Sequence, residues 1–292
     1  MSLPPPPPRS ALSTEAPGAA SVCYRHPKRQ TGRRCTRCGK PACSECLVQA
    51  SVGSHCLDCA KAARPDVKTR ARFWSAKQPA IVTTGIIAAN FLMFAYSVIR
   101  DPKALTGRQI TVAHVELGLY KQPIAAHHEW YRLITSGFMH FGVIHIALNM
   151  YILFQLGQMI EPMIGRVRYL LVYLASLLGG SALALTLEGD KIAAGASGAV
   201  FGLMGFAAVG YYMRGINPLS TSIGSLLMMN LLLTFMFRGI SIGGHIGGLI
   251  AGGLCAIIVA APGHRSPPKW ATYAAPIGVS ALAVIVSVLV VG

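Results

Sequence analysis

Seven apolar runs constrain this chain more than anything else in it. They cover roughly residues 79–99, 138–159, 168–187, 194–213, 218–237, 242–261 and 271–291. At about 20 residues, each is long enough to cross about 30 Å of hydrocarbon. Backbone polar groups at that depth are satisfied only in helices or closed barrels. The expected fold is therefore an all-α polytopic membrane protein. Composition agrees: 53% of the 292 residues are hydrophobic and 12% are charged, where soluble domains carry about 25% charged residues. The first run begins too late, and is too long, for a cleavable signal peptide.

The formal charge of +16 does not point to nucleic acid. Residues 1–78 hold 14 Lys/Arg against 4 Asp/Glu, together with seven of the eight cysteines. Seven thiolates on two Zn²⁺ would bring this segment to about +7. That is an ordinary basic face beside an anionic lipid bilayer, and no nucleic-acid partner is expected.

Residues 1–21 are Pro-, Ala- and Ser-rich and too poor in apolar surface to fold alone. Four pairs at two-residue gaps follow: Cys23/His26, Cys35/Cys38, Cys43/Cys46 and Cys56/Cys59. Each gap lets two donors reach one tetrahedral metal, so eight donors make two sites. A disulfide framework is the alternative. The odd number of cysteines and the histidine at metal spacing argue against it. His55 stands outside the pairs and reads as a surface residue. The segment resembles small treble-knuckle and B-box-like zinc modules. That resemblance implies interleaved sites: Cys23, His26, Cys43 and Cys46 on one ion, Cys35, Cys38, Cys56 and Cys59 on the other. It also implies two structural zinc ions and a cytosolic protein partner rather than chemistry.

Residues 63–78 continue a basic linker with Arg64, Lys68, Arg70, Arg72 and Lys77. Positive charge flanking a first span marks the cytoplasmic side, and zinc thiolates need a reducing compartment. With the N-terminus inside, Arg166, Arg168, Arg214, Arg265 and Lys269 fall inside, and Glu188 and Asp190 outside. Only the long loop 100–132, with several basic residues, departs from the charge rule. An odd number of spans puts the C-terminus outside.

The second, fourth and sixth runs then enter from outside. Ser197 lies 6 residues after Lys191, His245 lies 7 after Arg238, and His145 lies 7 after Phe138. At about 1.5 Å per residue, all three sit roughly 10 Å below the outer surface. A histidine inside a membrane run is costly and marks a functional site by default. A serine at the same depth supplies the matching nucleophile. Gly198 and Gly202 are spaced for close helix approach, as are Gly248 and Gly252. His245, Gly248 and Gly252 share one helix face, which can bring His245 to Ser197.

These residues resemble the rhomboid intramembrane serine proteases over roughly residues 79–262. The resemblance rests on His145-Ile-Ala-Leu-Asn149, on Gly195-x-Ser197-Gly198, and on His245-x-x-Gly248-x-x-x-Gly252. It implies a six-helix core, with Ser197 as nucleophile and His245 as general base. It also implies oxyanion donors at His145, Asn149 and the Ser197 backbone N–H, and no catalytic cofactor. Tyr131-Arg132 matches the family's aromatic–Arg pair in a loop lying partly in the outer leaflet. Gly244 stands where the family often has Ala, and Phe201 where some members have Tyr. The seventh run, at 263–292 with its loop, and the zinc module at 22–62 are additions to the 79–262 core. The whole layout looks most like actinobacterial members. Substrates would be single-span or polytopic membrane proteins, cut near the outer face of the cell membrane.

Rival readings are weaker. A catalytically silent rhomboid-like scaffold, recruiting cytosolic partners through its zinc module, would have no need of both Ser197 and His245. An intramembrane metalloprotease needs a spacing such as His-Glu-x-x-His within a span, and His127-His128-Glu129 does not supply it. No inverted repeat supports a transporter.

Overall fold

The computed structural model describes residues 21–50, 52–62, 80–237, 239–263 and 267–292. The Pro-rich tail and the basic linker 63–78 lie outside the described residues. The chain divides into two compact units, with the break in sequence between residues 74 and 75.

The first unit is built from two hairpins. Strand β1 (Val22–Cys23) pairs antiparallel with β2 (His26–Gln30), and β3 (Leu47–Gln49) pairs antiparallel with β4 (Ser54–Cys56). A short helix, α1 (Leu57–Ala62), closes the unit. The turn between β3 and β4 uses Gly53 at φ +70°, a conformation that other residues rarely adopt. Among the described residues its apolar core is small: Cys23, Ala42, Cys43 and Cys46, flanked by Tyr24, Leu47 and Leu57. A core of this size does not hold about 40 residues together unaided.

The second unit is a helical bundle. Its elements are α2 (Ile81–Arg100), three short loop helices α3 (Val112–Leu117), α4 (Lys121–His127) and α5 (Arg132–Thr135), then α6 (Gly142–Ile164), α7 (Arg166–Glu188), α8 (Ser197–Tyr212), α9 (Ser222–Met236), α10 (Ile242–Val259) and α11 (Ala271–Val291). Five of these, α2, α6, α7, α10 and α11, are long and apolar enough to cross a membrane. This is a multi-pass membrane protein. The other two apolar runs form shorter helices than expected, 16 residues in α8 and 15 in α9.

The late start of α8 has a local cause. Leu119 and Ala193 exchange backbone hydrogen bonds at 2.9 Å, and the Gly195 N–H donates to the Ser136 carbonyl at 2.9 Å. Residues 193–195 are thus tied to the preceding loop, and the helix can begin only at Ser197. The second run likewise opens in a 3-10 turn, Ser136–Phe138, before α6 starts at Gly142.

Glycines bring α10 against two neighbours at once. A Cβ on Gly248 would collide with the Gly198 carbonyl of α8, and one on Gly252 with the Gly202 carbonyl. On its other side, a Cβ on Gly247 would collide with the Gly179 carbonyl of α7. In lipid, helices associate through such close packing rather than through hydrophobic burial. Helix α9 is loosely embedded: Ile223, Gly224 and Thr234 are the residues buried along it.

Glu161, near the end of α6, caps a different helix. Its carboxylate accepts from the Val82 N–H at 3.0 Å, and from the Thr83 N–H and hydroxyl at 2.8 Å each. Amides in the first turn of a helix have no intrahelical partner, so Glu161 satisfies α2 where it meets α6.

In the loop before α6, Arg132 is the buried hub. Its guanidinium donates to the carbonyls of Val115 (2.7 Å) and Gly118 (2.8 Å), and to Glu129 Oε2 at 2.7 Å. The rings of Tyr120 and Tyr131 flank it at 5.1 and 5.6 Å.

Candidate active site and metal sites

Ser197 is the first residue of α8 and His245 is the fourth of α10. The glycine contacts between those helices bring Ser197 Oγ to 2.8 Å from His245 Nε2. His245 is 7% exposed. The Phe201 ring, one turn along α8, stacks on the imidazole at 4.1 Å between centroids and 17° between planes. The far ring nitrogen, Nδ1, lies 2.7 Å from Thr234 Oγ1 of α9. Glu188, at the end of α7, accepts from the Gly243 N–H at 2.9 Å and so caps the start of α10.

His145 approaches from α6. Its Nδ1 accepts from the Phe141 backbone N–H at 3.2 Å, so in the neutral ring Nε2 carries the hydrogen. That N–H faces Gly195: a Cβ built there would lie 3.1 Å from His145 Nε2 and 3.4 Å from Ser197 Oγ. Gly195 is at φ +140°, so both its conformation and its neighbour exclude a side chain. Asn149, one turn further along α6, gives one amide hydrogen to the His145 carbonyl at 2.9 Å and keeps the second. The Ser197 N–H lies in the first turn of α8, where no helical carbonyl is available to it.

His140, which no motif marks in the sequence, also takes part in the site. It is fully buried, and its Nε2 accepts from the Ala196 N–H at 3.4 Å. Its carbonyl lies 3.1 Å from His114 Nε2, and its ring meets that of His145 edge-on at 5.0 Å. A chain of histidines therefore braces the backbone just before Ser197. Thr234, Glu188 and His114 have no motif around them to mark them in the sequence.

In the N-terminal unit two groups of donors converge. Cys23, His26, Cys43 and Cys46 form one, and Cys35, Cys38, Cys56 and Cys59 form the other, with each group's donor atoms within 4.8 Å of one another. His26 Nδ1 lies 3.8, 3.3 and 3.4 Å from the sulfurs of Cys23, Cys43 and Cys46. Cys38 and Cys56 sulfurs are 3.7 Å apart. A tetrahedron with bonds of about 2.3 Å has edges of about 3.8 Å, so the donors fit a zinc ion. Burial pushes the Cys23 and Cys35 thiols up, but backbone amides donating to both sulfurs outweigh it and leave them at about 6. Both groups can hold structural zinc. His55 belongs to neither group.

Comparison with known proteins identifies the class of this helical membrane bundle, with its serine and histidine hydrogen-bonded between adjacent helices. Residues 127–262 match the Rhomboid domain family. The chain is 33% identical over 198 residues to the rhomboid protease GluP of Bacillus subtilis, covering 67% of this chain and 38% of that one. It is 31% identical over 183 residues to the rhomboid homologue YdcA of the same organism, covering 61% of this chain and 87% of that one. It is 30% identical over 146 residues to Rhomboid-like protease 1 of Toxoplasma gondii, covering 47% and 50%. The chain belongs to the rhomboid family. Its match spans well under two thirds of GluP, and most of YdcA.

Proposed function

We propose that the protein is an intramembrane serine endopeptidase that cleaves membrane-anchored proteins with Ser197 and His245. The observation that carries this reading is the 2.8 Å hydrogen bond between Ser197 Oγ and His245 Nε2 in a member of a family that includes named proteases. His245 takes the proton of Ser197 as the oxygen attacks a peptide carbonyl. Among the described residues the side chains bonded to the His245 ring are those of Thr234 and Ser197, neither a carboxylate, so the pair works as a dyad. The developing oxyanion is met by the Ser197 N–H, the His145 Nε2–H and the free hydrogen of Asn149. One such donor is worth about 3–4 kcal/mol in the transition state. His245 later returns its proton to the leaving amine, and water releases the acyl group by the same route.

The substrate class is a membrane protein whose helix unwinds near the outer face, because an intact helix keeps its carbonyls bonded. The charge distribution supports a cytoplasmic N-terminus and an extracytoplasmic C-terminus. Residues 79–262 are the protease core, residues 22–62 a zinc module that binds a cytosolic partner, and residues 263–292 an added helix. The test is cleavage of a single-span reporter in liposomes by the full chain and by Ser197→Ala, alongside labelling with a fluorophosphonate serine probe. A scaffold would show neither cleavage nor labelling.

A further inference from the structure

Two hydrogen bonds of Thr234 fix more than the position of His245. Thr234 Oγ1 lies 2.7 Å from the Asn230 carbonyl one turn back on α9, and also 2.7 Å from His245 Nδ1. A hydroxyl has one hydrogen to give. The Asn230 carbonyl can only accept, so the threonine hydrogen goes there. The bond to the imidazole then has Nδ1–H as donor and the threonine lone pair as acceptor. The reverse assignment would leave two oxygens facing each other at 2.7 Å with no hydrogen between them. It would also put a hydrogen on Nε2, aimed at Ser197 Oγ.

We propose that Thr234 is a positioning residue for the reaction: it holds His245 as the Nδ1–H tautomer, so that Nε2 faces Ser197 as a proton acceptor. In a triad a buried carboxylate performs this task. Here a neutral hydroxyl does it, and its own orientation is set by a helix carbonyl. When Nε2 takes the serine proton, Nδ1–H keeps its acceptor, so the imidazolium is not left with an unpaired buried donor. Thr234 is 2% exposed, so water does not compete for that bond. Asn230 contributes its carbonyl, while its side-chain amide donates to Leu226 O at 2.8 Å within α9.

The proposal rests on the dyad reading, but part of its test does not. Full-length protein carrying ¹⁵N-histidine in detergent micelles reports the tautomer directly, with the His245 signals assigned by their loss in His245→Gln. Wild type is expected to carry its hydrogen on Nδ1, and Thr234→Val to shift the population toward Nε2–H. In the cleavage assay Thr234→Val, which keeps the shape of the side chain, is expected to lower kcat about 10- to 100-fold, the consequence of one lost buried acceptor. KM should stay within about twofold, because substrate binding is not touched. Thr234→Ser should recover most of the rate. A wild-type spectrum with the hydrogen on Nε2 overturns the proposal, as does a Thr234→Val enzyme within about threefold of wild type. A serine variant as slow as valine would make the side chain a packing element and sink it too. If Ser197→Ala still cleaves, the dyad reading fails by itself, and the tautomer spectrum still decides what Thr234 does.

Discussion

The Gly198 carbonyl of α8 occupies the space into which a Cβ on Gly248 of α10 would project, and the Gly202 carbonyl does the same at Gly252. Ser197 and His245 sit at the end of this seam, so its closeness is what brings them within hydrogen-bond distance. Gly252→Ala is expected to lower stability in detergent by about 1–3 kcal/mol, the usual cost of overpacking, and to cut activity with it. Gly253 is the control, because a Cβ there meets only Val209 Cγ2 at 3.4 Å. Equal losses in the two variants, read from thermal unfolding, would refute the seam.

Ser197→Ala is expected to abolish cleavage and probe labelling while unfolding like wild type. Loss of a nucleophile costs several orders of magnitude, so residual cleavage above a few per cent would remove Ser197 from its role.

Asn149→Ala is expected to slow the chemical step about 100-fold, with substrate affinity nearly unchanged, as for a donor used mainly in the transition state. Single-turnover kinetics check it. Because the same amide also bonds the His145 carbonyl, a thermal unfolding curve accompanies the measurement. A loss confined to binding or to stability would make Asn149 a packing residue.

The loop before α6 should respond to acid through Glu129. The Arg132 hydrogen bond holds its carboxyl below the usual range. Its folded pKa is therefore depressed relative to an unpaired Glu, about 4.3. The stabilisation is fully present above that value and is lost as pH falls through the lower folded one. Pepsin cutting within residues 100–141 is expected to accelerate over this window in wild type. In Glu129→Gln, which has no charge to lose, cutting should be fast at the upper end already. A window unchanged by the substitution would rule this pair out.

The N-terminal unit is expected to bind about two Zn²⁺ per chain, as eight donors in two closed sites require, and to unfold on chelation. Metal analysis of residues 20–62 and circular dichroism after chelation provide the check. A chain starting near Ala71 should still cleave substrate in detergent. Inactivity of that chain with its spans folded would make the zinc unit a requirement for catalysis.

What the sequence makes legible follows the range of the interaction. Apolar runs announce seven helices because solvation by lipid acts on each segment alone. Ser197 and His245 stand out because a hydroxyl and an imidazole in such runs need a reason. Contacts between distant segments leave no such trace. The pairing of Leu119 with Ala193 delays α8 to Ser197, and nothing near residue 194 announces it. Nothing beside Glu161 announces that it caps Thr83, 78 positions earlier. Thr234 reads as an ordinary membrane threonine, since such side chains commonly bond the carbonyl four residues back. Only the fold reveals that its remaining lone pair faces His245.

The brevity of α8 and α9 has a consequence for the lipid around them. Sixteen and fifteen residues measure about 24 and 22 Å at 1.5 Å per residue, against hydrocarbon about 30 Å thick. The bilayer beside them must thin to meet their ends, at a cost of a fraction of a kcal/mol per Å of mismatch. That mismatch makes acyl-chain length a variable of the protein. Short-chain lipids relieve it and long-chain lipids aggravate it, so the composition of the host membrane adjusts how readily the two helices keep Ser197 and Thr234 in register with His245 of α10.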